Sequence, residues 1–318
     1  MHPPTIVILG TGGTIAGQAE SASDNIGYIA AQVGVDQLVA AIPSLAGFGS
    51  LITEQVAQVD SKDMGFEVWM RLAARVNHFL AQPAVRGIVI THGTDTLEET
   101  AYFLHAVCRP AKPVVLTCAM RPATALVPDG PQNMLDAMAV ASHAGARGVV
   151  AVCAGTIHSA LDVQKVHTYK LDAFSSGDAG PIGYIEEGSL KLMRNWPEAQ
   201  DERAQAAIKF IANGATLADW PRVEVVMNHV GAGGSVVDAL HAHGVQGLVV
   251  AATGNGTLHH ELEAALLRVQ AAGVKVVRAT RCLNGRVLPT PGDVLPDSKG
   301  LSPVKARIEM MLELMATS

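Results

Sequence analysis

Two short stretches of this chain place hydroxyl groups where a strand gives way to a helix: Gly10-Thr11-Gly12-Gly13-Thr14-Ile15-Ala16-Gly17 and His92-Gly93-Thr94-Asp95-Thr96. Each follows a β-branched apolar run, at 5–9 and at 87–91. Ligands of an open α/β sheet bind beyond the carboxyl ends of its strands, so both stretches fall where chemistry is expected. Glycines let backbone N–H groups approach an anion or a developing oxyanion. Threonines add candidate nucleophiles. The pair points to hydrolysis of an amide by a threonine.

A threonine hydroxyl attacks poorly at neutral pH unless a base takes its proton. Asp95, beside Thr94, is a weak base alone, and a partly desolvated lysine is the better acceptor. Spacing does not single that lysine out. Plainer readings stand alongside: Asp95 with Glu98 three residues on matches a capping box, and Thr14 suits a helix cap. Phosphate binding fits less well. Ile15 occupies the place of the third glycine in G-x-G-x-x-G, and the lysine of a Walker loop is missing. A dinucleotide-dependent oxidoreductase is therefore the weaker alternative.

The elements that must hold these residues alternate. Strands are expected at 5–9, 51–59, 87–91, 114–117 and 148–152, and helices at 35–42, 64–81, 96–107 and 132–144. Val68, Leu72, Val76 and Phe79 form one apolar stripe at helical spacing. The run Gly87-Ile88-Val89-Ile90-Thr91 is apolar on both faces, as a covered parallel sheet requires. From about 187 to 221 local charge rises and the alternation breaks, which reads as a linker. It resumes with strands at 223–227, 247–251 and 274–278 and helices at 235–243, 258–271 and 303–315. The fold class is α/β, with two doubly wound (flavodoxin-like or Rossmann-like) domains. A larger N-terminal domain, 1–188, carries the threonines; a linker spans 189–221; the smaller C-terminal domain is 222–318.

Bulk properties narrow the function. At 318 residues two domains are the natural expectation. A net charge of −6, with a pI near 6.0 and no Lys/Arg cluster, argues against a nucleic-acid partner. Hydrophobic residues make up 49% and charged ones 16%, so much surface must be buried, subunit interfaces included. Apolar runs fall short of the ~18 residues of a membrane span, and the N-terminus lacks the basic start and cleavage site of a signal peptide. Cys108, Cys118, Cys153 and Cys282 show no CxxC spacing, and His241/His243 and His259/His260 lack the i,i+4 spacing of zinc ligands. No metal or other cofactor is expected, and a reducing compartment suits the free thiols.

The segments Thr11-Gly12-Gly13-Thr14-Ile15-Ala16-Gly17 and Ile90-Thr91-His92-Gly93-Thr94-Asp95-Thr96-Leu97-Glu98-Glu99-Thr100-Ala101 resemble the two signature motifs of the bacterial L-asparaginase family. The likeness continues through Val59-Asp60-Ser61-Lys62-Asp63-Met64, Ala119-Met120-Arg121-Pro122, Asp129-Gly130-Pro131, Asp162-Val163-Gln164-Lys165 and Gly254-Asn255-Gly256. It runs in order along nearly the whole chain.

The resemblance implies roles. Thr14 corresponds to the nucleophile that forms an acyl-enzyme, and Tyr28 to the tyrosine of a mobile loop that assists it. Thr94, Asp95 and Lys165 correspond to a second hydroxyl–carboxylate–lysine group, which leaves open which threonine attacks first. Ser61 and Asp95 match residues that hold the substrate's α-carboxylate and α-ammonium. The backbone of Thr94 and Ala119 would face the oxyanion. Asn255 matches a residue reaching the site from a neighbouring subunit, which implies a homo-oligomer, typically a tetramer of dimers sharing sites. The implied substrate is L-asparagine, hydrolysed to L-aspartate and ammonia in the cytoplasm. One methylene separates L-glutamine from it, worth only ~1–3 kcal/mol of discrimination, so weak glutaminase activity is expected too. A catalytically silent amino-acid binder on the same scaffold is the other alternative, but it would not need a nucleophile and a base.

Two departures from the family pattern bear on substrate binding. The stretch after the last expected strand, Asn284 to Asp293, lacks the Glu that secreted relatives use to hold the substrate amine, leaving Asp293 as a stand-in. Lys62 replaces the amide residue that often follows the binding serine, and it must point away from an ammonium.

Overall fold

The computed structural model describes residues 4–108, 110–198 and 219–317. They fall into two compact units, Met1–Gln200 and Asp201–Ser318.

In the N-terminal unit the strands are β1 (Thr5–Gly12), β2 (Ser50–Val59), β3 (Val85–Thr91), β4 (Pro113–Thr117), β5 (Gly148–Cys153), β6 (Thr156–Ser159), β7 (Gln164–Lys165), β8 (Phe174–Ser175), β9 (Gly183–Glu186) and β10 (Ser189–Leu192). Its α-helices are α1 (Val35–Ala40), α2 (Phe66–Leu80), α3 (Leu97–Cys108) and α4 (Gly130–Ser142). One eight-stranded sheet has the order β10-β9-β6-β5-β4-β3-β1-β2. From β2 to β5 the pairing is parallel, and β6, β9 and β10 continue it antiparallel. The parallel part follows the flavodoxin-like order 2-1-3-4-5, whose switch point lies between β1 and β3. β7 and β8 form a separate two-stranded ladder, with Lys165 opposite Phe174.

The parallel strands are central because their side chains are apolar on both faces. Every residue of β1, β4 and β5 is buried. On one face Ile6, Ile8, Val89, Val115 and Val150 pack with Val35 and Leu38 of α1 and Met134 and Met138 of α4. The other face is covered by α2 and α3. The α2 stripe Val68, Leu72, Val76 and Phe79 is buried. Trp69 stacks on Phe103 at 4.7 Å and donates its indole N–H to Thr100 Oγ1 at 2.9 Å, which locks α2 to α3. Two threonines at strand ends tie neighbouring strands where the ladder stops. Thr11 Oγ1 donates to Thr91 O and Thr117 Oγ1 to Val152 O, both at 2.9 Å.

The linker expected from 189 begins later. Ser189–Leu192 is β10, paired with β9, Arg194 pairs with Asp162, and Trp196 is buried in the N-terminal core. Only four residues long and largely exposed, β10 carries too little pattern to be told from a linker. The 199–218 part of that expected linker lies outside the described residues.

In the C-terminal unit β11 (Val223–Met227), β12 (Gly247–Ala252) and β13 (Lys275–Thr280) form a parallel sheet in that order. α5 (Ser235–Ala242) and α6 (His260–Ala271) cover one face through Val237, Leu262 and Leu266, packed on Val226, Val250 and Val276. α7 (Pro303–Thr317) lies against the strands as well. Among the described residues no helix is long and apolar enough to cross a membrane.

Candidate active site

The residues that close the gap between β1 and β3 are glycines because nothing larger fits. Gly12 and Gly13 both have positive φ, 101° and 81°. A Cβ on Gly13 would lie 2.3 Å from both Cα and N of Gly93, and one on Gly93 would lie 2.4 Å from Ser61 Oγ. The backbones just before Thr14 and Thr94 therefore touch, with Ser61 against them. Thr14 and Thr94 thus follow directly on glycines packed against each other at the switch point.

Thr14 opens a single 3-10 turn, Thr14–Ala16, rather than a long helix; α1 begins only at Val35. Its Oγ1 is 2.6 Å from the hydroxyl of Tyr28. The segment bearing Tyr28 is pinned at its base by two backbone bonds between Gln18 and Ile29, 2.9 and 2.8 Å long. Burial pushes the Tyr28 phenol up, more than its bond to Thr14 pulls it down, and the charges of Asp60 and Asp95 raise it further. The phenol is protonated at neutral pH. It can relay a proton with Thr14 but is no standing base.

Thr94 Oγ1 accepts a hydrogen bond from Lys165 Nζ at 2.7 Å, and the same amine donates to Asp95 Oδ1 at 2.6 Å. The β7–β8 ladder presents Lys165, whose side chain is 19% exposed, against 52% for Asp95. The capping-box reading of Asp95 gives way here: α3 starts at Leu97, and the Asp95 carboxylate receives Lys165 instead. Ser61 is 2% exposed. Its Oγ accepts the Asp95 N–H at 3.2 Å while its carbonyl accepts from Thr96 Oγ1 at 2.8 Å. The Ser61 hydroxyl hydrogen is left to donate elsewhere.

Ala119 follows β4 and is buried. A Cβ on Gly130 would sit 2.9 Å from Ile15 Cγ1 and 3.5 Å from Ala119 Cβ, so Ala119 lies beside the turn that carries Thr14. Asp129 shapes this loop, accepting from Met120 N at 2.9 Å and Arg121 N at 3.0 Å. Asn133 adds a bond to Cys118 O at 2.9 Å. Asp129 and Asn133 acquire these duties only through the fold; no spacing in the chain announces them.

Lys62 points to solvent, its side chain 62% exposed and paired with Asp60 at 2.6 Å and Asp63 at 3.3 Å. In the C-terminal unit Asn255 exchanges two bonds with the backbone of Leu288, donating at 3.0 Å and accepting at 2.7 Å. Asp293, the stand-in for the missing Glu, is engaged by Arg278 at 2.8 Å and by Thr290 N at 2.8 Å. The Arg278 bond, followed by that of the Thr290 backbone, holds its carboxyl down at about 2. That carboxylate is committed to a structural turn. Among the described residues no three His, Cys, Asp or Glu side chains gather as a metal site would need.

Two hydroxyls at the switch point of a parallel sheet, each bonded to a proton-handling partner, describe an α/β protein built for attack on a carbonyl. The family model "Asparaginase, N-terminal" matches residues 5–198, and "Glutaminase/Asparaginase C-terminal domain" matches 222–318. The chain belongs to the asparaginase family. L-asparaginase 2 of Bacillus subtilis is 37% identical, covering 99% of this chain and 84% of the relative. The glutaminase-asparaginase of Pseudomonas fluorescens is 36% identical over 98% of this chain and 86% of its own. A crystal structure of a probable cytoplasmic L-asparaginase from Campylobacter jejuni superposes with a TM-score of 0.91 at 38% identity, covering 98% of this chain and 95% of that one. The dinucleotide alternative finds no support in these likenesses.

Proposed function

We propose that this protein is an L-asparaginase, hydrolysing L-asparagine to L-aspartate and ammonia, with weaker activity on L-glutamine. The reading rests foremost on the contact of Gly13 with Gly93, which supports a shared cleft for the hydroxyls of Thr14 and Thr94.

In this reading Thr14 Oγ1 attacks the side-chain amide carbon, and its proton is relayed through the Tyr28 hydroxyl 2.6 Å away, which takes it while releasing its own proton toward the departing amide nitrogen. Backbone N–H groups at Thr94 and Ala119 receive the oxyanion. The amide nitrogen leaves as ammonia once protonated, and an ester on Thr14 remains. Water then attacks that ester, with Thr94, Lys165 and Asp95 handling its proton. Ser61 and Asp95 hold the α-carboxylate and α-ammonium, a charge pair that rejects analogues lacking either group. Asn255 serves a neighbouring copy's site in a tetramer of dimers, a reading carried by the family resemblance. A cytoplasmic location agrees with the free, buried Cys118 and Cys153 thiols, 3.1 Å apart, though a relative in Haemophilus influenzae is named periplasmic.

Ammonia release from L-asparagine and L-glutamine, measured side by side, tests the reading. L-Asparagine is expected to win in kcat/KM by about 10- to 200-fold, the worth of one methylene. Thr14→Ala should release no ammonia from either while retaining the parent's thermal unfolding. Undiminished turnover by folded Thr14→Ala refutes the role of Thr14.

A further inference from the structure

His92 is completely buried at the end of β3, where its own N–H donates to Thr117 O at 2.9 Å and continues the ladder to β4. Its Nδ1 lies 2.7 Å from Gly93 O. A carbonyl only accepts, so the ring hydrogen sits on Nδ1 and Nε2 is bare. Nε2 has no partner among the described residues. Among the described residues the one polar contact this ring makes is therefore with the peptide that joins Gly93 to Thr94.

That peptide matters because of what lies on its other side. A planar trans peptide points its C=O and N–H in opposite directions, so holding the oxygen also fixes the hydrogen. The N–H opposite Gly93 O belongs to Thr94, and among the described residues nothing accepts from it. Position 93 must be glycine, since a Cβ would lie 2.4 Å from Ser61 Oγ. Glycine is also the residue that restrains its own backbone least. The site thus demands a loose residue immediately before the amide that it needs aimed.

We propose that His92 is a positioning residue: by gripping the Gly93 carbonyl it aims the Thr94 N–H at the oxyanion formed during amide attack. The proposal deepens the hydrolase reading and rests on it. The grip does not depend on pH in the working range. Burial brings His92 down to about 4, outweighing the opposing bond to Gly93, so the ring stays neutral and Nδ1 keeps the hydrogen that it donates.

Three variants, each compared with the parent in kcat and KM for L-asparagine, affinity for L-aspartate and thermal unfolding, test this. Asparagine carries an N–H donor close to the place of Nδ1, glutamine carries it one bond further out, and leucine has none. His92→Asn should stay within about threefold of the parent kcat. His92→Gln and His92→Leu should lose ~10- to 100-fold, less than the ~10²–10³ of deleting an oxyanion donor outright. KM and L-aspartate affinity should stay within about twofold, because neither reports on a tetrahedral oxyanion. If His92→Leu does not fold, the contrast between Asn and Gln decides. The proposal is overturned if Gln and Asn variants are equally active, or if kcat falls only together with KM and L-aspartate affinity. An unmutated protein that releases no ammonia overturns the hydrolase reading, and this inference with it, before any variant is made.

Discussion

Lys165 shows how much a single residue's surroundings decide. On an exposed surface a Lys–Asp pair contributes about 0–1 kcal/mol, and Asp95 is half solvated here, so the pair adds little stability. Its value lies in geometry, an amine in contact with both the Thr94 hydroxyl and a carboxylate. Lys165→Met keeps the length of the side chain and removes the amine. General acid–base assistance is worth ~10²–10⁴-fold, so kcat for ammonia release should fall by that order while the unfolding free energy shifts by less than about 1 kcal/mol. A variant with near-parental kcat would remove Lys165 from the chemistry.

At the scale of elements, the cleft exists because β1 and β3 end side by side and their following loops pass within backbone contact. The order 2-1-3-4-5 creates this place, and the glycines make the approach possible. Gly13→Ala would put a methyl 2.3 Å from the Gly93 backbone at a φ of 81°. Neither the clash nor the conformation can relax without parting the two loops. A stability loss of about 2 kcal/mol or more is expected, with kcat falling further still because near-attack geometry tolerates little displacement. Gly47→Ala is the control: nothing lies within 4 Å of its added methyl, and denaturant unfolding should differ little from the parent. Equal stability of the two variants would show that the loop contact is not what holds the cleft.

Across the whole molecule the thiols report on folding. Cys282 is exposed, whereas Cys108, Cys118 and Cys153 are buried. Burial pushes Cys108 up to about 12; Cys118 is raised by its bond to Cys153 as well as by burial. Thiolates react and thiols do not. A thiol reagent at neutral pH should titrate one group per chain in the native protein and four after denaturation, and a second fast group would mean that a core has opened.

Much of this architecture is written locally. The runs that became β1, β3, β4 and β5 are apolar on both faces, and the α2 stripe recurs at helical spacing, so local composition and covered position agree. The antiparallel extension went unseen because β6, β9 and β10 are four residues each, too short to show a period, and β10 is largely exposed. Asp129, Asn133 and His92 carry ordinary residue types at unremarkable spacings, and their contacts arise from loops folded over one another.

The sequence by itself determined the parallel strands, the helices that cover them and which hydroxyls stand at strand ends, because burial pattern and glycine placement are properties of neighbouring residues. Spacing left open which amine meets Thr94 and the family resemblance implied Lys165, but only the tertiary structure brings the two into contact at 2.7 Å. The 71 positions separating the two residues are closed by the path of a whole sheet, and no local spacing encodes such a path.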